Sequence, residues 1–300
     1  MMAWLTVALV FLILAVVFEG FLFLGALAIA YLSTHPPRRS PRRTPEHFGA
    51  GYEEVAFPAG DGTPLTGWLI QAENPRAVLL LTHGMLANRA DMLPWAQWLW
   101  EAGYSLLMFD FRGSGQSGGD LCTMGLHEPE DVRGALDFLE TRPETAGLSA
   151  GILGFSMGGT VAILAAASDS RLQAVVTHGA YATLDRVIRQ RCIRHFGPLA
   201  PLVEWQTRRI GRRWFPAESI QAVSCLEVVR RIAPRPLLLL NGARDLIVPP
   251  DNAHDLHDAA HAPKDLCILP HTAHPYPSRR DEPDYRRRVL AFFERAFAGV

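Results

Sequence analysis

The chain has 300 residues, 49% of them hydrophobic, with a formal net charge of −1. That is enough apolar material for one large core plus an extension. The near-zero charge gives no electrostatic case for nucleic-acid binding. Four cysteines, Cys122, Cys192, Cys225 and Cys267, stand far apart without a C-x-x-C pair, which argues against a zinc knuckle or a dithiol redox site.

Residues 1–33 are apolar except for Glu19 and polar residues at the end. A run of that length can cross a hydrocarbon core of about 30 Å, and it is read as a transmembrane anchor. A cleaved signal peptide is the rival, because Ala28-Ile29-Ala30 resembles a small-residue cleavage site, but the start lacks Lys or Arg. Arg38, Arg39, Arg42 and Arg43 follow the run and no basic residue precedes it, so the positive-inside rule puts the remainder in the cytoplasm, at the inner face of the cell membrane. The prolines of 34–50 predict a stiff, extended Arg/Pro-rich spacer that packs on nothing.

A domain over 51–300 comes next. Strands are expected at 52–59 and 65–72, joined through Gly60-Asp61-Gly62-Thr63, an Asp-Gly hairpin signal. The run 76–82 is continuously apolar, as in a parallel strand covered on both faces, and leads into His83-Gly84-Met85-Leu86. A Trp- and Leu-rich helix at 90–102 precedes a strand at 105–110. Then Asp110-Phe111-Arg112-Gly113-Ser114-Gly115-Gln116-Ser117 forms a glycine-rich loop without the spacing or the lysine of a phosphate loop. A helix at 128–140, a strand at 150–155, a helix at 157–167 and a strand at 172–177 complete an alternation that argues an open, mostly parallel α/β sheet with helices on both faces. Residues 181–233 interrupt it. They are arginine-rich, carry Phe196, Trp205, Trp214 and Phe215, and read as a small helical cap. The chain resumes with a strand ending at Asp245, a strand ending near His271 and His274, and a helix at 285–297.

The centre of this pattern is Gly154-Phe155-Ser156-Met157-Gly158. Gly-x-Ser-x-Gly between a strand and a helix puts the serine on a sharp, strained turn, hydroxyl outward, above a helix N-terminus. A serine hydroxyl needs a base to take its proton and an acid to orient that base. Asp245 and His274 end later strands, and ligands of such sheets bind at the strands' carboxyl ends. His271 is the alternative base and Asp110 the rival acid. His83 reads as a loop brace, and His178, which ends the strand before the cap, as a residue lining the pocket. His254, His257 and His261 share a helix with Asp251, Asp255 and Asp258, where a solvated face is a simpler reading than a metal site.

With His83-Gly84-Met85, the Asp110–Ser117 loop, the serine turn, Gly242-x-x-Asp245 and His274 in this order, the chain from about residue 52 onward resembles the α/β-hydrolase superfamily. Within it, the chain is most similar to bacterial serine aminopeptidases, monoacylglycerol lipases and small esterases. The resemblance implies a mostly parallel eight-stranded sheet. It implies Ser156 as nucleophile, His274 as base and Asp245 as its orienting acid, with the N–H groups of Met85 and Met157 as oxyanion hole. It implies no cofactor and no metal, and a small acyl substrate cleaved as an ester or thioester; the apolar, aromatic cap and the membrane tether suggest that this substrate is lipophilic. An aminopeptidase or amidase, and a membrane-anchored binding module without activity, are the alternatives. Oligomeric state stays open.

Overall fold

The computed structural model describes residues 2–214 and 217–298; Phe215, counted above among the cap aromatics, lies outside them. In chain order the elements are α1 (Met2–Thr34), β1 (Glu53–Pro58), β2 (Pro64–Ile70), β3 (Val78–Thr82), α2 (Leu93–Glu101), β4 (Ser105–Phe109), α3 (Glu128–Thr141), β5 (Ala150–Phe155), α4 (Met157–Ser168) and β6 (Leu172–His178). They continue with α5 (Leu184–Phe196), α6 (Ala200–Gly211), α7 (Ala217–Ala222), α8 (Cys225–Val228), β7 (Leu237–Gly242), α9 (Asp251–Ala259), β8 (Lys264–Leu269) and α10 (Glu282–Phe297).

The eight strands form one sheet in the order β1-β2-β4-β3-β5-β6-β7-β8. Only the opening hairpin and the β2–β4 pair are antiparallel; all other pairs are parallel. The hairpin closes with Pro58 opposite Pro64 around the Asp-Gly turn.

β3 shows why both faces carry helices. Side chains alternate across a strand, and every residue of β3 is buried. Val78 and Leu80 enter a core shared with α3, α4 and α9, whereas Leu79 and Leu81 enter a second core with α2 and α10. Each such leucine contributes about 1.5–3 kcal/mol of apolar burial, an upper figure for a denatured chain that is itself compact. The second core is held by Trp95, whose indole N–H donates to the Tyr285 hydroxyl at 2.9 Å in a buried bond.

Two expectations need correction. The cap is shorter than 181–233: a bridge between Thr183 and Ser224 closes its neck, and Cys225, Val229 and Ile232 then turn into the core beside α4. These are apolar positions on a short helical stretch, so they bury under the sheet's helices rather than above them. The spacer at 34–50 is also no free strut. The Arg38 guanidinium donates to the carbonyls of Ser117 and Gly119, and the Asn88 amide donates to the Arg39 carbonyl at 3.0 Å. Pro45–Phe48 form a 3-10 turn packed near α2. Arginines in an extended segment reach unpaired loop carbonyls, which proline content does not reveal.

α1 is one unbroken helix of 33 residues, long and apolar enough to cross a membrane. Residues 2–21 are exposed throughout. From Leu22 on, the stripe Leu22, Ala26, Ala30 and Thr34 is buried, with Leu22 and Ala26 packed against Cys192, Ala200 and Val203 of the cap. That four-residue spacing lines up one face of a helix.

Candidate active site

Ser156 joins β5 to α4 with φ of 54°, a left-handed value that a non-glycine residue adopts only where the surroundings hold it. The turn is tight because its glycines admit backbone: a Cβ at Gly154 would strike the Gly158 carbonyl, and one at Gly158 the Thr82 carbonyl. The Ser156 N–H donates to the His178 carbonyl at 2.7 Å, fixing the turn to β6.

The serine hydroxyl lies 3.0 Å from Nε2 of His274, and Nδ1 of that ring lies 2.6 Å from Oδ2 of Asp245. Asp245 is buried, and its Oδ1 accepts the N–H groups of Ile247 and Val248 at 2.8 and 2.9 Å. Because the carboxylate only accepts, the bond to Nδ1 puts the ring proton there and leaves Nε2 to accept from the serine. Of the two candidate histidines, His274 is the one brought between serine and acid. His271 instead donates its backbone N–H to Asp281 at 2.8 Å.

The Met85 N–H has no protein acceptor among the described residues, and Met157 opens α4, where the first N–H groups lack an intrahelical partner. Both flank the serine: a Cβ on Gly84 would come within 3.2 Å of Ser156 Cβ. Leu86, the next residue, has φ of 62°.

Asp110 is not near the histidine. It accepts the Arg89 N–H at 2.7 Å, the Arg89 guanidinium at 2.5 Å and the Gln116 N–H at 2.9 Å, so it ties the loop after β3 to the loop after β4. His83 braces the same region by accepting the Phe111 N–H at 3.0 Å. Arg112, on that second loop, ion-pairs with Asp61 and with buried Asp131. The acidic and histidine side chains of α9 form no cluster able to hold a metal among the described residues.

Some site residues escaped the sequence reading. Phe155 and Tyr276 stack at 6.5 Å, and Trp95 lies against both. Phe155 also packs on His274 at 4.9 Å. His178 lies beneath, fully buried, with neither ring nitrogen hydrogen-bonded; burial, then the nearby His274, lowers its pKa to about 3. Burial also pushes the Tyr276 phenol up to about 12. Phe155, Trp95 and Tyr276 follow from no local motif, since a strand end, a helix and a loop bring them together only in space, whereas His178 is legible as the residue that ends β6.

A cavity of about 610 Å³ lies beyond the loops that carry Met85 and follow Asp245; Ser156 and His274 themselves do not line it. Its walls include Met85 and Leu86, Leu246 and Ile247 just after Asp245, and Gln190, Arg191 and Arg194 of α5. Arg191 donates to Ser33 Oγ of α1 at 2.7 Å and contacts Met85 Sδ at 3.2 Å. No carboxylate among the described residues pairs with it, and burial lowers its pKa.

The strand order, the serine at the β5–α4 turn and the ligand-side cavity define an α/β-hydrolase. The chain belongs to the family described as serine aminopeptidase, S33, whose profile matches residues 73–224. It is similar to the YfhR protein of Escherichia coli O157:H7, 27% identical over 229 residues covering 74% of this chain and 73% of that one. It is similar also to the bem46 protein of Schizosaccharomyces pombe, 29% identical over 244 residues, 77% of this chain and 73% of that one. In fold it resembles the Pyrococcus furiosus esterase Pf2001, with a TM-score of 0.75 at 23% identity over 88% of this chain and 99% of that one.

Proposed function

We propose that the protein is a serine hydrolase of carboxylic esters or thioesters, with Ser156, His274 and Asp245 as its triad and the Met85 and Met157 N–H groups as its oxyanion hole. The observation that carries this is the continuous relay from Ser156 Oγ through His274 to Asp245, beside two backbone donors without acceptors. Ser156 Oγ attacks the acyl carbon while its proton passes to His274 Nε2. The oxyanion is held by the two N–H groups, each worth roughly 3 kcal/mol in the transition state. His274 returns the proton to the leaving oxygen or sulfur as its bond to the acyl carbon breaks. Water then enters by the reverse route, giving the free acid and restoring the serine.

An aminopeptidase must recognise a free ammonium, for which a carboxylate is the natural partner. The described walls of the cavity carry no Asp or Glu and do carry Arg191 and Arg194, so they favour an acyl substrate. The Pyrococcus esterase named above points the same way.

We read α1 as a retained membrane anchor, with the linker and catalytic domain on its arginine-rich, cytoplasmic side. Cleavage after Ala30 would strip Leu22 and Ala26 from Cys192 and Val203, leaving that cap face bare.

Labelling with a fluorophosphonate tests the nucleophile. Wild type is expected to label and Ser156→Ala not to; a folded wild type that stays unlabelled refutes the reading. Nitrophenyl esters set against aminoacyl amides test the bond cleaved, with turnover expected only for the esters. A reporter fused to the C-terminus tests the side: activity of a reporter that works only in the periplasm overturns it.

A further inference from the structure

The cavity beyond Met85 and Leu246 is not closed by the catalytic domain alone. Phe21, Gly25, Ala28 and Leu32 of α1 form one of its sides. They flank the stripe by which the helix packs on the cap, and Gly25 lies close against the Phe196 ring, so a side chain there would strike it. α1 is tied down independently on both sides of this wall. The Cys122 N–H donates to the Thr34 carbonyl at 2.9 Å, Arg191 holds Ser33, and Gln206 donates to Glu19.

The dimensions are specific. The exposed part of α1, residues 2–21, is about 30 Å long at 1.5 Å per residue, the thickness of a hydrocarbon core. Phe21, where the cavity begins, therefore falls where the helix leaves the lipid. From Phe21 to Leu32 the wall runs about 16 Å onward from that point. Ile193, Leu199, Leu202 and Trp205 on α5, α6 and the turn between them are exposed, with Arg209 over the Trp205 ring at 5.6 Å. Aromatic and arginine side chains of this kind seat at a membrane interface.

We propose that α1 is a structural wall of the acyl-binding site, and that the cavity takes the long acyl chain of a lipid ester entering from the bilayer along α1. This rests on the serine-hydrolase reading above. The carbonyl sits at Ser156, and the chain passes Met85 and Leu246 and lies along Leu32, Ala28 and Phe21. A volume of about 610 Å³ suits a small-molecule ligand and far exceeds what an acetyl group fills. The same helix that holds the enzyme in the membrane thereby selects its substrate.

The test uses the full chain in lipid nanodiscs and the rate at which Ser156 is labelled by two fluorophosphonates, one with a dodecyl and one with an ethyl chain. In each, phosphorus takes the serine oxygen and fluoride leaves, carrying off the proton as HF. Wild type is expected to react faster with the dodecyl probe. Ala28→Trp fills the cavity from the α1 side and should cut the dodecyl rate by about tenfold or more, the scale of one or two lost methylene contacts, with the ethyl rate unchanged. Leu9→Trp, on the exposed part of α1 about 18 Å before Phe21, should change neither. Leu32→Asp, which charges the same wall without added bulk, should repeat the selective loss and decides the matter if Ala28→Trp loses both probes. Dodecyl-to-ethyl ratios like wild type in both wall variants overturn the inference while leaving the hydrolase reading intact. A wild type unlabelled by either probe overturns both.

Discussion

Asp245→Asn isolates what the acid does. The carboxylate uses Oδ1 for two backbone N–H groups and Oδ2 for His274 Nδ1. An asparagine has one acceptor oxygen and one NH₂ in the same space. With its oxygen toward Ile247 and Val248, its NH₂ faces Nδ1, and the imidazole must move its proton to Nε2. Nε2 then points a proton at the serine hydroxyl and cannot accept one. With the amide flipped, the histidine keeps its tautomer, but the NH₂ faces two buried backbone donors, at roughly 1–3 kcal/mol for each group left unpaired. Two such penalties outweigh the single bond regained, so the first arrangement prevails. The variant should fold with an unchanged thermal midpoint while kcat on a nitrophenyl ester falls about 10⁴-fold, or about 5.5 kcal/mol of barrier. Fluorophosphonate labelling should slow in parallel, because it needs the same base. A loss of less than tenfold in a folded Asp245→Asn would refute the assignment of tautomer control to this residue.

Two further outcomes are expected, both read as stability. His178 is neutral when folded, with its pKa lowered to about 3, and regains its ordinary value near 6.5 when unfolded. The unfolded chain therefore binds the extra proton between those values, and stability falls as pH drops through that window, by about 3 kcal/mol between pH 7 and pH 4. His178→Asn should flatten this part of the thermal-midpoint profile against pH, and an unaltered slope would count against it. Arg112→Met removes the partner of Asp131, which is buried and accepts the Arg112 N–H and guanidinium, so it should cost about 3–5 kcal/mol in denaturant unfolding. A change below 1 kcal/mol would mean that water or rearrangement takes over the pairing.

The parts of the site that were legible in the sequence are those whose chemistry forces a local pattern. A serine on a strained turn needs small neighbours, so Gly154 and Gly158 announce Ser156. Asp245 and His274 are legible as candidates because apolar runs end at them, and strand ends in a parallel sheet share one rim. The spacing between His271 and His274 could not separate the two; that depends on which way the loop after β8 turns, and Asp281 fixes it by capturing the His271 N–H. The role of α1 was hidden for a different reason. Leu, Ala and Phe serve equally against lipid and against protein, so hydropathy alone cannot say where the bilayer ends and the cap begins. The clue was the spacing of Leu22, Ala26 and Ala30, with Gly25 between, a small-residue stripe at helical period beside Glu19. Arg38 and Asn88 show the same limit for polar contacts, since their carbonyl partners carry no side-chain signature.

α1 runs without a break from Met2 to Thr34 and is fastened to the globular part at both Glu19 and Thr34. On the proposal that α1 is a membrane anchor, such a rod has no hinge at the point where it leaves the lipid. Whatever angle it adopts to match a thicker or thinner membrane is passed undiminished to the body it carries. On that reading, bilayer thickness would set the tilt at which the cavity mouth meets the headgroups.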